Sequence, residues 1–472
     1  MIAPYKILFI KPPWQGGLRM IDVPLAYLYL SAFLKRYLEG PVEIELIDLR
    51  FTGKIGPTLA RRLRRFQPDL IGISLLAADK YFLNEWSDFL RTNAPEAKIV
   101  IGGVAATYEY DELLPANQAV DWAVIGEGEV VFLNLVRALM AGEHPGRING
   151  LAYVDAGTAV CNNRADYIED LDTIPFPDYS LVNLPDYFGS WGDSHNGFLY
   201  EKRYTPVMSS RGCPFRCIYC HDIFGKKIRK RSPANFMQEL QWLYDDYGIR
   251  EFHIMDDIFN IDRERMHTIL QLIIESGMNV KLAFPNGLRA DILKKEDLNL
   301  LKQAGAYALC FAIESASPRV QKMIRKNLNI ARVSENIEYA ESIGLIVRGF
   351  FMLGFPGETM AEIQSTVAFA KKSRLDLASF FTPIPFRGTA LRRLVETMYP
   401  SLTYSIRGDY WYKKSFYYLT TGYDIRRANL KASLKFYSPL RVFKTFGKLP
   451  NKLHMINIVW GFLLIVFNRR TS

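Results

Sequence analysis

Two stretches of this chain alternate short apolar runs of strand length with amphipathic helical segments, a pattern that restricts it to α/β folds. In the first stretch we predict strands at residues 5–10, 42–47, 70–74, 99–101 and 122–125. Continuous apolar strands separated by amphipathic helices indicate a parallel sheet that helices cover on both faces. Residues 1–150 are therefore predicted to form a doubly wound, Rossmann-like domain, in which ligands bind beyond the carboxyl ends of the strands.

The second stretch, residues 203–395, repeats the alternation six times. Its strands are predicted at residues 206–209, 251–255, 280–284, 308–313, 346–352 and 377–382. Six βα units predict a partial, TIM-type (β/α)6 barrel with its chemistry at the carboxyl ends of the strands. We predict a linker with a short hairpin at residues 151–202, and a helical region with an apolar terminal helix at residues 396–472. This division agrees with a length of 472 residues, which is too great for one hydrophobic core.

Three of the five cysteines lie within eight residues, as Cys213, Cys217 and Cys220, directly after the first predicted barrel strand. Their odd number and tight spacing exclude a full set of disulfides. Thiolates at this spacing can hold a cubane iron–sulfur cluster and leave one iron open to a substrate or cofactor. Zinc is the alternative, but structural zinc needs four ligands, and His221 is poorly placed to share a metal with the adjacent Cys220.

Polar residues and glycines follow the other predicted strands. In the second domain they are Asp256, Asp257, Arg289, Glu314, Ser315 and Gly354. In the first domain they are Gly16, Gly17, Ser74, Leu75, Gly102, Gly103, Gly126, Glu127 and Gly128. Glycine lets the backbone approach a bulky ligand closely, although each of these positions alone is also typical of a tight turn. Arg289 has a second interpretation, a structural ion pair with Asp291.

The cysteine stretch from Arg211 to His221 resembles the signature of the radical S-adenosylmethionine (SAM) enzymes. The resemblance implies that Cys213, Cys217 and Cys220 ligate a [4Fe-4S] cluster, that SAM binds the open iron, and that one electron cleaves SAM to a 5′-deoxyadenosyl radical. The SAM contacts that it implies are Tyr219, Asp256, Asp257, Arg289, Glu314, Ser315 and Gly354. It further implies a small-molecule substrate and an electron donor such as flavodoxin or ferredoxin.

Residues 1–150 are similar to the cobalamin-binding domain of the B12-dependent radical SAM class, in which a Gly-Glu-Gly-Glu sequence like that at 126–129 precedes a helix. The implied cobalamin contacts are Gly16, Gly17, Ser74, Leu75, Gly102, Gly103, Gly126, Glu127 and Gly128. One departure is that residues 1–143 contain no histidine, so no histidine of this domain can ligate the lower face of the cofactor. The alternative is a sheet domain with a purely structural role.

The resemblance implies an enzyme that methylates an unactivated carbon of an unknown, lipid-like or other small molecule. One alternative is an oxidative cyclisation or rearrangement of the kind catalysed by the anaerobic magnesium-protoporphyrin IX monomethyl ester cyclases. Another is a sensor that binds cobalamin or a cluster without turnover. A methylthiotransferase needs three further cysteines in its N-terminal domain, and residues 1–150 contain none.

The net charge of +10 is concentrated at the C-terminal end. Residues 401–472 contain thirteen Lys and Arg against two Asp, which leaves a balance of −1 for residues 1–400. This distribution argues against a nucleic-acid partner and for a local anionic partner of the tail. Residues 453–468 carry no formal charge, and a helix of this length would be ~24 Å long, short of the ~30 Å of a bilayer core. We expect a final helix packed on the barrel or, alternatively, a segment in the membrane interface of a cytoplasmic enzyme.

Overall fold

The computed structural model describes residues 3–13, 21–188, 194, 196–400 and 420–449. Contacts within the chain divide it into two compact units, Met1–Tyr187 and Phe188–Ser472. Residues 16, 17 and 453–468, about which the sequence makes predictions, lie outside the described residues.

The first unit is built on a seven-stranded sheet with the order β2-β1-β3-β4-β5-β6-β7. Its strands are β1 (Tyr5–Lys11), β2 (Val42–Asp48), β3 (Leu70–Ser74), β4 (Lys98–Gly102), β5 (Trp122–Val124), β6 (Leu151–Asp155) and β7 (Thr158–Cys161). Its helices are α1 (Leu25–Tyr37), α2 (Ile55–Phe66), α3 (Lys80–Asn93), α4 (Gly103–Ala116) and α5 (Gly128–Met140). Strands β1 to β5 are parallel, which confirms the predicted doubly wound fold.

The hairpin of β6 and β7 pairs antiparallel with β5 and so extends this sheet. The hairpin itself was predicted, but its place in a linker was wrong, because it shares the hydrophobic core of the first unit. Ala152 is fully buried in that core, and Cys161 packs against it. In β1, four consecutive residues are almost inaccessible, Ile7 to Ile10. Burial on both faces is what a strand between two helical layers requires, and each such side chain contributes about 1.5–3 kcal/mol.

The second unit contains a six-stranded parallel sheet with the order β15-β14-β13-β12-β11-β8. Its strands are β8 (Tyr204–Val207), β11 (Glu251–Ile254), β12 (Lys281–Leu288), β13 (Ala306–Glu314), β14 (Ile346–Met352) and β15 (Leu377–Phe381), and β9 (Ser210–Arg211) pairs separately with β10 (Arg229–Lys230). Its helices are α6 (Pro233–Asp246), α7 (Arg263–Glu275), α8 (Lys295–Gln303), α9 (Pro318–Met323), α10 (Ile330–Ser342), α11 (Met360–Lys372), α12 (Ala390–Met398), α13 (Ile425–Phe436) and α14 (Pro439–Lys448). Each parallel strand lies beside the next one along the chain, as in the predicted partial barrel.

Strand β14 shows which face of this sheet is the inside of the barrel. Ile346 packs in one cluster with Phe198, Ala283 and Leu377, whereas the ring of Phe351 lies 6.4 Å from that of Phe369 in α11. Because side chains alternate along a strand, even-numbered residues of β14 face inward and odd-numbered ones face the helices.

The C-terminal helices α13 and α14 belong to this unit. The hydroxyl of Tyr437, between them, donates to the carbonyl of Ala378 at 2.9 Å and accepts its N–H at 3.2 Å, so it covers the free edge of β15. Among the described residues, no helix has the length and apolar character needed to cross a membrane.

Candidate active site

The three clustered cysteines lie on one loop at the carboxyl end of β8, and the β9–β10 pair closes the base of this loop. Gly212 opens the loop with φ +91°, and a Cβ there would lie 2.4 Å from the carbonyl oxygen of Lys227. No other residue fits this position without moving the backbone. The N–H of Cys213 donates to the carbonyl of Gly225, and the N–H of Cys220 to that of Cys217. The loop is therefore folded by its own backbone and presents all three thiols.

Asp256 and Asp257, which follow β11, hold the start of this loop. The buried carboxylate of Asp256 accepts the N–H of Ser209 at 2.6 Å and the hydroxyls of Ser209 and Ser210 at 2.6 and 2.5 Å. Asp257 accepts the N–H of Gly212 at 2.9 Å. Although Asp257 keeps an exposed surface, desolvation and the charge of Asp256 raise its pKa against the effect of this hydrogen bond. The sequence predicted both carboxylates near SAM. In the structure, the Asp256 carboxylate makes its hydrogen bonds to Ser209 and Ser210 inside the protein.

A polar group at the base of the cysteine loop consists of Tyr219 from the loop itself, Glu314 and Lys326. The Lys326 ammonium lies 3.0 Å from Glu314 Oε1 and 3.2 Å from the Tyr219 hydroxyl, which itself donates to Glu314 Oε1 at 3.1 Å. Burial alone would lower the pKa of Lys326, but the nearby charges of Glu314 and Cys217 outweigh burial and raise it. A lysine charge is thus held at the base of the loop.

Glu314 is strained and has an unused acceptor. Its φ of +65° lies in the left-handed region, which is uncommon for any residue other than glycine. Its side chain is 5% exposed, and its Oε2 atom is buried without a hydrogen-bond partner among the residues that the structure describes. Buried acceptors normally have a partner, so this oxygen can still accept a hydrogen bond from a ligand. That observation fits a hydroxyl-bearing group such as the ribose of SAM.

The donor set of the loop also fits an iron–sulfur cluster. A hydrogen bond from Cys220 lowers the pKa of the Cys217 thiol to about 6 against the effect of burial, and Lys326 assists, whereas burial raises the pKa of Cys213 and the same hydrogen bond raises the pKa of Cys220. Thiolates are the form that iron binds. Within the described part of the chain, no three His, Cys, Asp or Glu side chains are arranged to hold a single metal ion. The Nε2 atom of His221 lies 3.0 Å from the carbonyl oxygen of Arg387, on the turn after β15.

Two further predicted residues, Arg289 and Ser315, make their contacts inside the protein. Arg289 pairs with Asp291 at 3.0 Å, as its second interpretation proposed, and its guanidinium lies 4.0 Å from the centre of the Phe215 ring on the cysteine loop. The hydroxyl of Ser315 contacts that of Thr366 at 3.1 Å. These bonds support the loops that surround the cysteines.

Gly354 lies in the turn after β14, with φ +100°. A Cβ there would lie 2.8 Å from Ile425 of α13, so the glycine lets the C-terminal segment pack against the turn. Its N–H donates to Glu358 at 2.7 Å. Lys326 and Ile425 were not predicted from the sequence, because neither belongs to a local motif and each meets the site only through the fold.

In the first unit, those predicted cobalamin positions that the structure describes lie at the carboxyl ends of β3, β4 and β5. A Cβ at Gly103, whose φ is +86°, would lie 2.7 Å from the carbonyl oxygen of Leu75, so this glycine shapes the turn. Leu75 is fully buried, and Leu76 beside it is 52% exposed. The N–H of Ser74 donates to the hydroxyl of Tyr27 at 2.8 Å. Leu76 is therefore the apolar side chain that this edge presents to solvent.

The Gly126–Gly128 turn is partly open. A Cβ at Gly126 or at Gly102 would meet no atom closer than 3.8 Å, so both positions leave room at the sheet edge. Glu127 accepts the N–H of Ile168 at 3.1 Å, and a Cβ at Gly128 would lie 3.2 Å from Leu30. The open glycines fit the close approach of a large planar group, whereas Glu127 and Gly128 serve the fold.

Two parts of the chain match known families: residues 23–136 match the B12 binding domain, and residues 207–370 match the Radical SAM superfamily. An uncharacterised methyltransferase of Pyrococcus horikoshii is 29% identical over 397 residues, 82% of this chain and 82% of that protein. Anaerobic magnesium-protoporphyrin IX monomethyl ester cyclase of Cereibacter sphaeroides is 28% identical over 395 residues, 81% of this chain but 62% of the cyclase. Among solved structures, the radical S-adenosylmethionine methyltransferase TsrM of Kitasatospora setae has a TM-score of 0.66 at 18% identity, over 80% of this chain and 72% of TsrM.

Proposed function

We propose, on the premise that this chain is an enzyme of the cobalamin-binding radical SAM family, that it methylates an unactivated carbon of a small molecule. Its cofactors are a [4Fe-4S] cluster, SAM and cobalamin. When bound, the cluster and SAM supply a carbon radical that removes hydrogen, and cobalamin supplies a carrier for the methyl group. The protein's part is to hold these groups, orient the substrate and supply fixed charges.

The cysteine loop is the proposed cluster site, with Cys213, Cys217 and Cys220 as ligands. Lys326 places a buried positive charge beside the loop, which favours the thiolate forms that bind iron. Reductive cleavage of SAM consumes one electron, which we propose comes from a flavodoxin or ferredoxin.

The proposed SAM site lies above the polar group of Tyr219, Glu314 and Lys326. Glu314 supports this through its unpartnered Oε2, which can accept a ligand hydroxyl. Asp257 keeps an exposed surface and is proposed to face the ligand's ammonium group. The residues whose bonds lie within the protein are proposed to position the surrounding loops: Asp256, Arg289, Ser315 and Gly354.

The proposed cobalamin site is the carboxyl edge of β3, β4 and β5. Gly102 and Gly126 are proposed to allow close approach of the corrin ring, since each leaves open space. Other positions at this edge are proposed to shape the turns beneath it: Ser74, Leu75, Gly103, Glu127 and Gly128. Residues 1–143 contain no histidine, so none of them could supply an imidazole to the lower face of the cofactor.

Methyl transfer is favoured over cyclisation by how much of each relative the chain covers. The aligned region spans 82% of the methyltransferase relative, but more than a third of the cyclase has no counterpart in it. A sheet domain for cobalamin and a thiol loop for radical generation occur together in one chain, and this pairing carries the proposal.

The first test is anaerobic reconstitution of the protein, followed by incubation with SAM and dithionite. We expect 5′-deoxyadenosine from the wild type and none from Cys217→Ala, because the cluster loses one of its three ligands. Cys161→Ala is the matched control, since Cys161 is a free thiol outside the loop and should keep full activity. If the wild type forms neither 5′-deoxyadenosine nor S-adenosylhomocysteine above the Cys217→Ala background, the result supports a non-catalytic sensor instead.

We further propose that the C-terminal region touches anionic lipid at the cytoplasmic face of a membrane. Leu440 and Phe443 of α14 are 80% and 78% exposed, and the apolar, cation-flanked stretch 453–468 follows this helix in the sequence. Such a pairing of apolar surface and positive charge suits a membrane interface. Flotation with anionic liposomes should be strong for the full chain and lost for a chain ending at residue 450. Equal flotation of both, or none of the full chain, would contradict this proposal.

A further inference from the structure

Arg348 lies halfway along β14 with its side chain on the inner face of the barrel. It pairs in register with Cys310 of β13 and Leu377 of β15, and it has the same parity as Ile346, which packs inside. The ring of Phe198 lies 5.3 Å from its guanidinium carbon. A Cβ added at Gly197 would lie 3.3 Å from one of its terminal nitrogens. The charge therefore sits inside the barrel against an aromatic ring and a bare backbone.

This guanidinium makes no hydrogen bond or ion pair with any residue that the structure describes. A guanidinium has five N–H donors in a rigid fork, and an arginine inside a protein normally uses them. Arg289 and Arg231, also in the second unit, pair with Asp291 and Glu239. Arg348 is half-buried, and none of its nitrogens is among the fully buried atoms without a partner, so each of them keeps some accessible surface.

The inner wall between Arg348 and the carboxyl end of the barrel is largely apolar. Phe350 and Met352 continue the inner row of β14, and Phe381 lies across from Met352 on β15. All three are half-buried, with the rings of Phe350 and Phe381 5.7 Å apart. Met352 lies four residues after Arg348 along the strand, a distance of about 13 Å at the usual rise per residue.

From this geometry we propose that Arg348 binds a terminal oxyanion, a carboxylate or a phosphate, of an elongated and otherwise apolar substrate. The fork of the guanidinium suits either anion through two parallel hydrogen bonds. The apolar body would lie along Phe350, Phe381 and Met352, which leaves the far end of the molecule at the mouth of the barrel beside the cysteine loop. The inference rests on the proposed function only in calling this ligand the substrate, because anion binding does not require SAM cleavage.

The test is calorimetric titration of the reconstituted holoenzyme with octanoate, octyl phosphate and octanol. We expect both anions to bind at least about tenfold more tightly than the alcohol, as hydrogen bonds to a charged group provide. Octanoate and octyl phosphate distinguish the two anion sources. In Arg348→Met and Arg348→Gln the preference for the anions over octanol should disappear, and Arg348→Lys should keep part of it.

Stability separates this role from a structural one. Because Arg348 has no hydrogen bond to lose, the thermal midpoint of Arg348→Met without ligand should equal or exceed that of the wild type. Arg427→Met is the matched control, since that side chain is 81% exposed on α13, and it should bind octanoate normally.

Three results would overturn the proposal while leaving SAM cleavage, and with it the proposed function, intact. The first is a wild type that binds octanoate no better than octanol. The second is unchanged octanoate binding in Arg348→Met or Arg348→Gln. The third is tighter binding in Asp193→Asn, because Asp193, four positions before Gly197 along the chain, would then be competing for the arginine.

Discussion

Glu358, in the turn after β14, has a carboxyl group that the folded protein almost completely buries. Its side chain accepts the N–H groups of Gly354 and Phe355 at 2.7 and 3.1 Å, and the residue is 1% exposed. Its second oxygen has no partner among the described residues. Desolvation exceeds the effect of the two hydrogen bonds and raises the pKa of Glu358 to about 7.

The raised pKa makes a stability prediction with a definite sign. In the unfolded chain Glu358 ionises near its ordinary pKa of 4.5, while in the folded protein it stays neutral to about 7. The folded state is therefore progressively disfavoured as pH rises between these values, and the loss is complete above the folded pKa. Glu358→Gln removes this loss. Relative to the wild type, the free energy of unfolding of Glu358→Gln should rise by about 1–3 kcal/mol between pH 5 and pH 8. The measurement is the difference between the two thermal midpoints, which should grow over this range.

Glu362, four residues later, is the matched control because its pKa moves in the opposite direction. Hydrogen bonding from Arg319, at 2.6 Å, lowers the pKa of Glu362, so its contribution is lost only in acid. Glu362→Gln should gain on the wild type between pH 5 and pH 8 by much less than Glu358→Gln does, because Glu362 itself binds its proton only in acid and its charge contributes only part of the rise in the pKa of Glu358. Parallel curves for Glu358→Gln and the wild type over that range would contradict a raised pKa.

At the scale of elements, the strand ends divide into those that carry an exposed or unpartnered group and those that hold loops. The Asp256 carboxylate connects the end of β11 to Ser209 and Ser210 before the cysteine loop, and Arg289 after β12 stacks on Phe215 within that loop. Neighbouring strands thus fix the loop from two sides. Rigid support of this kind is what a site for several large cofactors requires.

Much of this arrangement could be predicted from local patterns. Apolar periodicity predicted the five parallel strands of the first unit and the six of the second, and three cysteines in eight residues predicted the cluster loop. The start of β8 was wrong by two residues, because Tyr204 and Thr205 are buried by strand pairing with β11 and not by any local alternation.

The partners of polar residues could not be predicted in the same way. Asp256 bonds to a serine 47 positions earlier in the chain, and Lys326 reaches Tyr219 across 107 positions. Nothing in the neighbouring sequence of either residue encodes such a pairing. Long-range contacts decided which predicted side chains remain free for a ligand, and Glu314 is the clearest of those.

At the scale of the whole molecule, one chain carries a cobalamin-binding domain, a radical SAM domain and a basic C-terminal region. The family matches cover residues 23–136 and 207–370, one in each compact unit. If the reaction is the proposed methyl transfer, separate cobalamin and radical SAM domains predict that one turnover consumes two molecules of SAM. One would supply the methyl group and leave as S-adenosylhomocysteine. The other would take up one electron from the reductant and release methionine, and its adenosyl fragment would remove a hydrogen atom from the substrate and leave as 5′-deoxyadenosine.

The ratio of these two products, measured during turnover with methyl-labelled SAM, tests the central claim most directly. Anaerobic protein reconstituted with iron, sulfide and cobalamin would be supplied with candidate substrates and a reductant. For the proposed methyl transfer, we expect S-adenosylhomocysteine and 5′-deoxyadenosine in nearly equal amounts, with the label recovered in the product. A product without the label, formed with 5′-deoxyadenosine alone, would contradict methyl transfer and point to cyclisation or rearrangement.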